Sequence, residues 1–392
     1  MFKVLTLNNI AEVGLQRLPG DRFEVGTGIS DPDAVLLRSY DMHSMDIPDS
    51  VAAIGRAGAG VNNIPIDAMS ARGIPVFNAP GANANAVKEL AVAGMLSAAR
   101  NLFGARDYVK GLDKEGADLD QAVEAGKKQF VGFELPGRTL GVIGLGAVGV
   151  EVANVALALG MKVVGFDPQI TVQRAWQLSS GVQQVETLDQ LFENADVISV
   201  HVPLVEGTKG LIDAARLDLM HDGGILINFS RRGIVKRKAL MSALDSGKLH
   251  AFVTDFPTAE LIGHPNVIAL PHLGASTEEA EENCAVMVAE NVKDFLENGN
   301  IRYSVNFPDS VMPRDGTYRI TIANANVPNM VGQISTCLGN AGLNIEDLLN
   351  KSRGELAYTL VDLDGPVEED TIGCLGAIEG VLTLRYLGKS IS

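Results

Sequence analysis

Residues 139–153 read TLGVIGLGAVGVEVA, and two periodicities meet inside them. "TLGVI" is an apolar run of strand length, while "AVGVEVA" continues as a helix, so a strand passes into a helix through the glycine turn between them. Gly144, Gly146 and Gly149 stand there in GxGxxG spacing. The first permits a tight turn. The second lets a pyrophosphate approach the amides that open the helix, at Ala147 and Val148, and the third lets helix touch strand. The next strand, "KVVGFD", ends in Asp167. A carboxylate at that point accepts hydrogen bonds from ribose hydroxyls and repels a 2'-phosphate, so the dinucleotide is expected to be NAD.

Outward from this motif the β-α rhythm is regular. "TLGVIG", "MKVVGFD", "ADVISVHV", "GGILINFS", "HAFVTD" and "NVIALP" are six strand candidates separated by amphipathic helices, enough for a doubly wound parallel sheet over residues 94–276. The first ninety residues repeat the rhythm in "KVLTL", "AVLLRS", "VAAIGRAG" and "IPVFNAP". An acidic helix from Thr277 carries apolar residues at Ala280, Cys284, Met287, Val288, Val292 and Phe295, one packed face. Residues 306–316, rich in Pro, Gly and Asp, read as a linker, and 317–392 follow a different order, β-α-β-β-α-β, as a small separate α+β domain.

Bulk properties narrow the function. A formal charge of -16 on 392 residues repels nucleic acid and anionic lipid, so an anionic substrate must meet local cations. Cys284, Cys337 and Cys374 lie far apart with no CxxC pair; neither a disulfide framework nor a metal site is expected, and a reducing cytoplasm fits. "MFKVLTLNNI" reads as a first strand rather than a signal peptide, and no apolar stretch has the length of a membrane helix.

Hydride transfer from an alcohol carbon to nicotinamide needs a proton acceptor, a cation for the substrate and exclusion of water. Three strand exits offer suitable groups. Arg231 follows "GGILINFS", Glu260 lies just past "VTDF", and His272 follows the last strand in "ALPHLGAST". Arg231 suits a carboxylate, His272 a proton transfer, and Glu260 the support of an imidazolium.

With these residues in view, the chain resembles the D-isomer-specific 2-hydroxyacid dehydrogenases, through "GLGAVG", "NFSRRGIVK", "DFPTAE" and "PHLGAST". "GRAGAGVNNI" and "FNAPGANANAVKELA" are also similar to family segments that touch substrate. The resemblance implies a flavodoxin-like discontinuous substrate domain, residues 1–93 and 277–305, around the NAD domain. It implies that Arg231, Glu260 and His272 are catalytic, and that Pro203, Thr208, Asp255 and Gly274 join Gly144 to Gly149 and Asp167 in holding NAD. Within the family it points to the branch that oxidises 3-phosphoglycerate at the entry to serine synthesis. Arg38, Arg56, Asn83 and Lys127 are the candidate substrate residues, with Arg56 foremost for the phosphate.

The last region is similar to ferredoxin-like ACT domains, which implies a serine effector at Asn324, Asn326 and Asn344 and a homodimer or homotetramer. Two departures stand out: Arg231-Arg232-Gly233 replaces the usual Arg-Gly-Gly, and Asn329 stands at a turn glycine. The alternatives are a dehydrogenase for glycerate, lactate or 2-hydroxyglutarate, and a dinucleotide-sensing scaffold resembling the C-terminal-binding corepressors.

Overall fold

The structure, a computed structural model, describes residues 1–314 and 318–389. The chain divides into two compact units, Met1–Asn83 with Glu278–Ser392, and Ala84–Thr277.

In the first unit the strands β1 (Phe2–Leu7), β2 (Phe23–Gly26), β3 (Ala34–Leu37), β4 (Ala53–Arg56) and β5 (Val76–Phe77) form a parallel sheet in the order β2-β1-β3-β4-β5. Four of these were expected; β2 is the addition. β3 is buried along its whole length, as a parallel strand covered on both faces must be. The helix Glu278–Asn298 lays Cys284, Val288, Val292 and Phe295 against this sheet, confirming the face read from the sequence.

In the second unit β6 (Thr139–Ile143), β7 (Lys162–Phe166), β8 (Val182–Gln184), β9 (Val197–Val200), β10 (Gly224–Asn228), β11 (Leu249–Thr254) and β12 (Val267–Ala269) pair in the order β12-β11-β10-β9-β6-β7-β8. Seven strands replace the expected six, because β8 is a short edge strand, "VQQ", without an apolar run to mark it. The strand order reverses between β6 and β9, which makes the crevice at their carboxyl ends the place for a ligand.

Three sequence expectations need correction here. The boundary at 93/94 falls inside a continuous helix, Ala84–Ala99, whose buried Ala91, Met95 and Ala98 belong to the core of the second sheet. The segment read as a linker is packed: Phe307, Ser310 and Met312 are buried, and the Asn306 side chain bonds the Val76 amide and the Ile74 carbonyl. Its Pro and Asp shape turns rather than freedom. Asp315 and Gly316 lie outside the described residues. Finally, Cys337 and Cys374 are joined as a disulfide, with Cα atoms 6.4 Å apart. Thirty-seven residues separate them, and packing between the helices Met330–Asn340 and Glu369–Gly376 is what brings them together.

The C-terminal region has the expected β-α-β-β-α-β order. Strands β13 (Tyr318–Ala325), β14 (Ile345–Arg353), β15 (Leu356–Leu363) and β16 (Val381–Lys389) form an antiparallel sheet, β14-β15-β13-β16. Asn329, in the place of a turn glycine, takes φ 64°, which asparagine tolerates better than most side chains.

This region is not a loosely attached module. Ala323, Tyr358 and Leu360 continue the core under the first sheet. The last carbonyls of helix Glu278–Asn298, which no helical amide can satisfy, receive arginines instead. Arg385 donates to Phe295 and Leu296, Arg314 to Glu297, and Arg319 to Asn298. Arg319, fully buried, also holds Asp362 through two bonds of 2.5 and 2.6 Å.

Candidate active site

The glycine motif is built as its spacing requires. Gly144, at the exit of β6, has φ +89°, and a Cβ there would stand 2.7 Å from the His201 carbonyl. A Cβ on Gly149 would lie 1.9 Å from the Gly144 carbonyl, whereas one on Gly146 meets no atom within 4 Å. Gly146 is the N-cap of helix Ala147–Ala158, whose leading amides, at Ala147 and Val148, are the kind of donors a pyrophosphate needs. Asp167 is fixed by the Leu145 and Gln169 amides at 2.8 and 2.9 Å. In the loop after β9 the Thr208 hydroxyl closes a turn on the Pro203 carbonyl at 2.5 Å, so these two expected cofactor residues are brought together.

Asp255 is the second point of fit for a nicotinamide. It is buried, one carboxylate oxygen accepts the Gly274 amide at 3.0 Å, and the other, Oδ1, has no partner. Burial pushes its pKa up, against the lowering effect of the Gly274 amide and of His272. An orphaned acceptor suits an incoming carboxamide N–H. The residues present therefore fit NAD.

Arg231 and His272 occupy the loops leaving β10 and β12, at the carboxyl edge of the sheet, and both are exposed. The Arg231 loop is braced by the buried Asn228, whose side-chain amide donates to the Arg231 carbonyl at 2.9 Å. The His272 imidazole packs on Phe256, ring centroids 4.8 Å apart. Glu260 departs from expectation. It sits on the short helix Ala259–Ile262 and pairs with Arg237 at 3.1 Å; among the described residues no hydrogen bond or ion pair joins it to His272. A nearby cation captures it, because the basic run Lys236-Arg237-Lys238 begins the neighbouring helix.

In the first unit, Arg38 and Arg56 end adjacent parallel strands and are linked directly, Arg56 Nε donating to the Arg38 carbonyl at 3.0 Å. Arg38 also pairs with Glu281 at 2.6 Å. Asn83 lies in the turn before helix Ala84–Ala99. Lys127 does not belong to a strand exit: it follows helix Gly116–Gly126 on an exposed arm and pairs with Glu124. The three asparagines are not gathered either. Asn324 and Asn326 lie toward the Leu356 end of β15 and Asn344 beside its Leu363 end, about 20 Å away at strand rise. Asn324 is buried, with its amide given to the Ala325 carbonyl.

Residues 92–274 match the family model described as D-isomer specific 2-hydroxyacid dehydrogenase, NAD binding domain. A D-3-phosphoglycerate dehydrogenase of Escherichia coli strain K12 is 31% identical over 383 residues, 94% of this chain and 90% of that one. The chain belongs to the D-isomer specific 2-hydroxyacid dehydrogenase family. A D-3-phosphoglycerate dehydrogenase of Archaeoglobus fulgidus is 38% identical over 338 residues, 80% of this chain, and the chain spans 61% of that relative's length. The solved structure of an NAD+-bound 3-phosphoglycerate dehydrogenase from Entamoeba histolytica is similar with a TM-score of 0.60 and 29% identity, over 78% of this chain and 98% of that one.

The segment matched by the 2-hydroxyacid dehydrogenase model contains the glycine turn, Asp167, Arg231, Glu260 and His272 together. The cofactor of this domain is NAD. Sequence reasoning passed over several residues of this site. His201 flanks the switch point; its Nε2 lies 2.8 Å from the Ser199 hydroxyl, and burial pushes its pKa down to about 4, so it is neutral at pH 7. Its signal was a histidine ending a strand in "ISVHVP" beside the glycine turn. Phe256 gave none.

Proposed function

We propose that the chain oxidises D-3-phosphoglycerate to 3-phosphohydroxypyruvate with NAD, the first step of the phosphorylated route to serine. Arg38 and Arg56, at the ends of the adjacent strands β3 and β4 and linked by the bond from Arg56 Nε to the Arg38 carbonyl, carry this reading, since a dianionic phosphate calls for cations set together on one frame. Arg231 binds the substrate carboxylate and polarises the developing carbonyl. His272 takes the hydroxyl proton as general base. Glu260, the acid expected to support the resulting imidazolium, is paired with Arg237 instead and bonds neither ring nitrogen of His272 among the described residues. A bound nicotinamide would supply the hydride acceptor. Asp255 would hold its carboxamide, and the amides of Ala147 and Val148 would hold the pyrophosphate.

The Arg38–Glu281 pair favours a second reading, an unphosphorylated D-2-hydroxy acid, because Glu281 already occupies one cation. Initial-rate NADH formation with 3-phosphoglycerate, glycerate, lactate and 2-hydroxyglutarate separates the two. His272→Asn should abolish turnover of whichever acid is used. Arg56→Ala should raise KM for 3-phosphoglycerate alone.

A homo-oligomer is part of the proposal. Residues 100–131, beyond helix Ala84–Ala99, leave Leu102, Val109 and Val131 at least half exposed, an apolar set that a second copy would cover. Serine, as an effector, would need the asparagines of two copies, given their separation in one chain. Light scattering with and without serine reads both. No helix among the described residues is long and apolar enough to cross a membrane. A cytoplasmic site of action follows from the metabolite and NAD; the Cys337–Cys374 bond argues against it, and thiol counting on freshly lysed cells decides.

A further inference from the structure

Residues 255–257, Asp-Phe-Pro, each reach a different part of the site. Asp255 accepts the amide of Gly274, two residues beyond His272, at 3.0 Å. Phe256 lays its ring on the imidazole, centroids 4.8 Å apart and planes inclined by 48°. The Pro257 carbonyl accepts a hydrogen bond from Arg232 at 2.9 Å, which ties the loop to the residue next to Arg231. The tripeptide thus connects the exits of β10, β11 and β12.

We propose that Phe256 is the positioning residue of His272, with Arg232 holding the loop that carries it. The inference rests on the reading of His272 as the general base. Among the described residues neither ring nitrogen of His272 makes a hydrogen bond or ion pair, and Glu260 is engaged by Arg237. An imidazole so placed has a broad second torsion, and a flat aromatic neighbour narrows it without occupying either nitrogen. Both nitrogens stay available for proton exchange, and a π face beside a ring that becomes cationic is electrostatically favourable. This work is divided differently from a carboxylate-held histidine, where one nitrogen is committed to the acid. It also gives the second arginine of Arg231-Arg232 a task distinct from substrate binding.

The test compares full-length Phe256→Leu, Phe256→Tyr, Arg232→Gln and His272→Asn variants by kinetics and by NMR of the histidine ring protons. The His272 resonances are assigned by their loss in His272→Asn. Phe256→Leu keeps the apolar volume and removes the ring, so kcat should fall about tenfold through misplacement of the base, with KM for NAD unchanged. The His272 signal should shift as the ring current disappears. Phe256→Tyr should restore both, and Arg232→Gln should give a smaller fall of the same kind. A Phe256→Leu enzyme within twofold of wild type, or an unmoved His272 signal, overturns the proposal. If Phe256→Leu does not fold, Arg232→Gln with unchanged kcat and an unchanged His272 signal overturns it equally. Full activity in His272→Asn removes the underlying reading instead, and the ring shift still reports whether the ring contact exists.

Discussion

The second and third glycines of the cofactor turn give a matched pair of perturbations with different expected signatures. Alanine at Gly149 puts a methyl carbon 1.9 Å from the Gly144 carbonyl oxygen. Restoring ordinary contact requires about 1.5 Å of separation between helix Ala147–Ala158 and the turn, an overpacking strain of roughly 1–3 kcal/mol. The same movement draws the Ala147 and Val148 amides off the pyrophosphate. Hydrogen bonds to a charged group are worth about 1.5–3 kcal/mol each, so losing two weakens NAD binding by about 3 kcal/mol or more, on the order of a hundredfold.

Alanine at Gly146 behaves otherwise. Its φ of -73° is open to any residue, and the added methyl meets no protein atom within 4 Å. Stability should therefore stay within about 0.5 kcal/mol of wild type, while the methyl stands where the pyrophosphate must approach and NAD affinity falls at least about tenfold. Urea unfolding followed by circular dichroism, with NADH fluorescence titration on the same samples, reads both quantities. A Gly146→Ala protein that binds NADH like wild type, or a Gly149→Ala protein unchanged in both measurements, would refute the assignment of this turn to the pyrophosphate.

Arg319→Met leaves the Asp362 carboxylate buried without its partner and should cost about 3–5 kcal/mol in urea unfolding; Arg319→Met with Asp362→Leu should recover much of it. His201 has a folded pKa near 4 against 6.5 when unfolded, so below pH 6.5 the unfolded chain binds the extra proton and stability falls toward pH 4. His201→Gln should lack that limb, narrowing its gap from wild type by about 3 kcal/mol between pH 7 and pH 4. Asp255 titrates in the opposite sense: its pKa is raised on folding, and its stabilising contribution is lost as pH rises through the folded value. Asp255→Asn should therefore gain stability relative to wild type with increasing pH in thermal unfolding scans, while KM for NAD rises.

Much of this chain is legible without coordinates, because its decisive signals are local. Gly144, Gly146 and Gly149 mark a strand-to-helix turn by spacing alone, Asp167 by its place at the end of the next strand, and the 278–298 helix by its repeating apolar face. Arg231 and His272 follow strands, and a strand exit is where a parallel sheet presents its ligand groups. Short polar β8 escaped for the same reason in reverse: three residues with no apolar pattern leave no periodic trace.

What folding alone decided are relations between distant residues. Glu260 lies at the family spacing, yet its partner is set by which cation the next helix brings close, and that is Arg237. Cys337 and Cys374 meet because two helices pack on one another. The segment after residue 305 has the composition of a spacer and the burial of a core element, because Phe307 and Met312 find a cavity that only the assembled sheets create. Arg319 looks like an ordinary surface cation in the sequence; it is fully buried because the end of one helix offers carbonyls and Asp362 offers countercharge. Local pattern fixes what a segment can become, and the burial of charge, the pairing of side chains and the orientation of His272 depend on neighbours supplied from elsewhere in the chain.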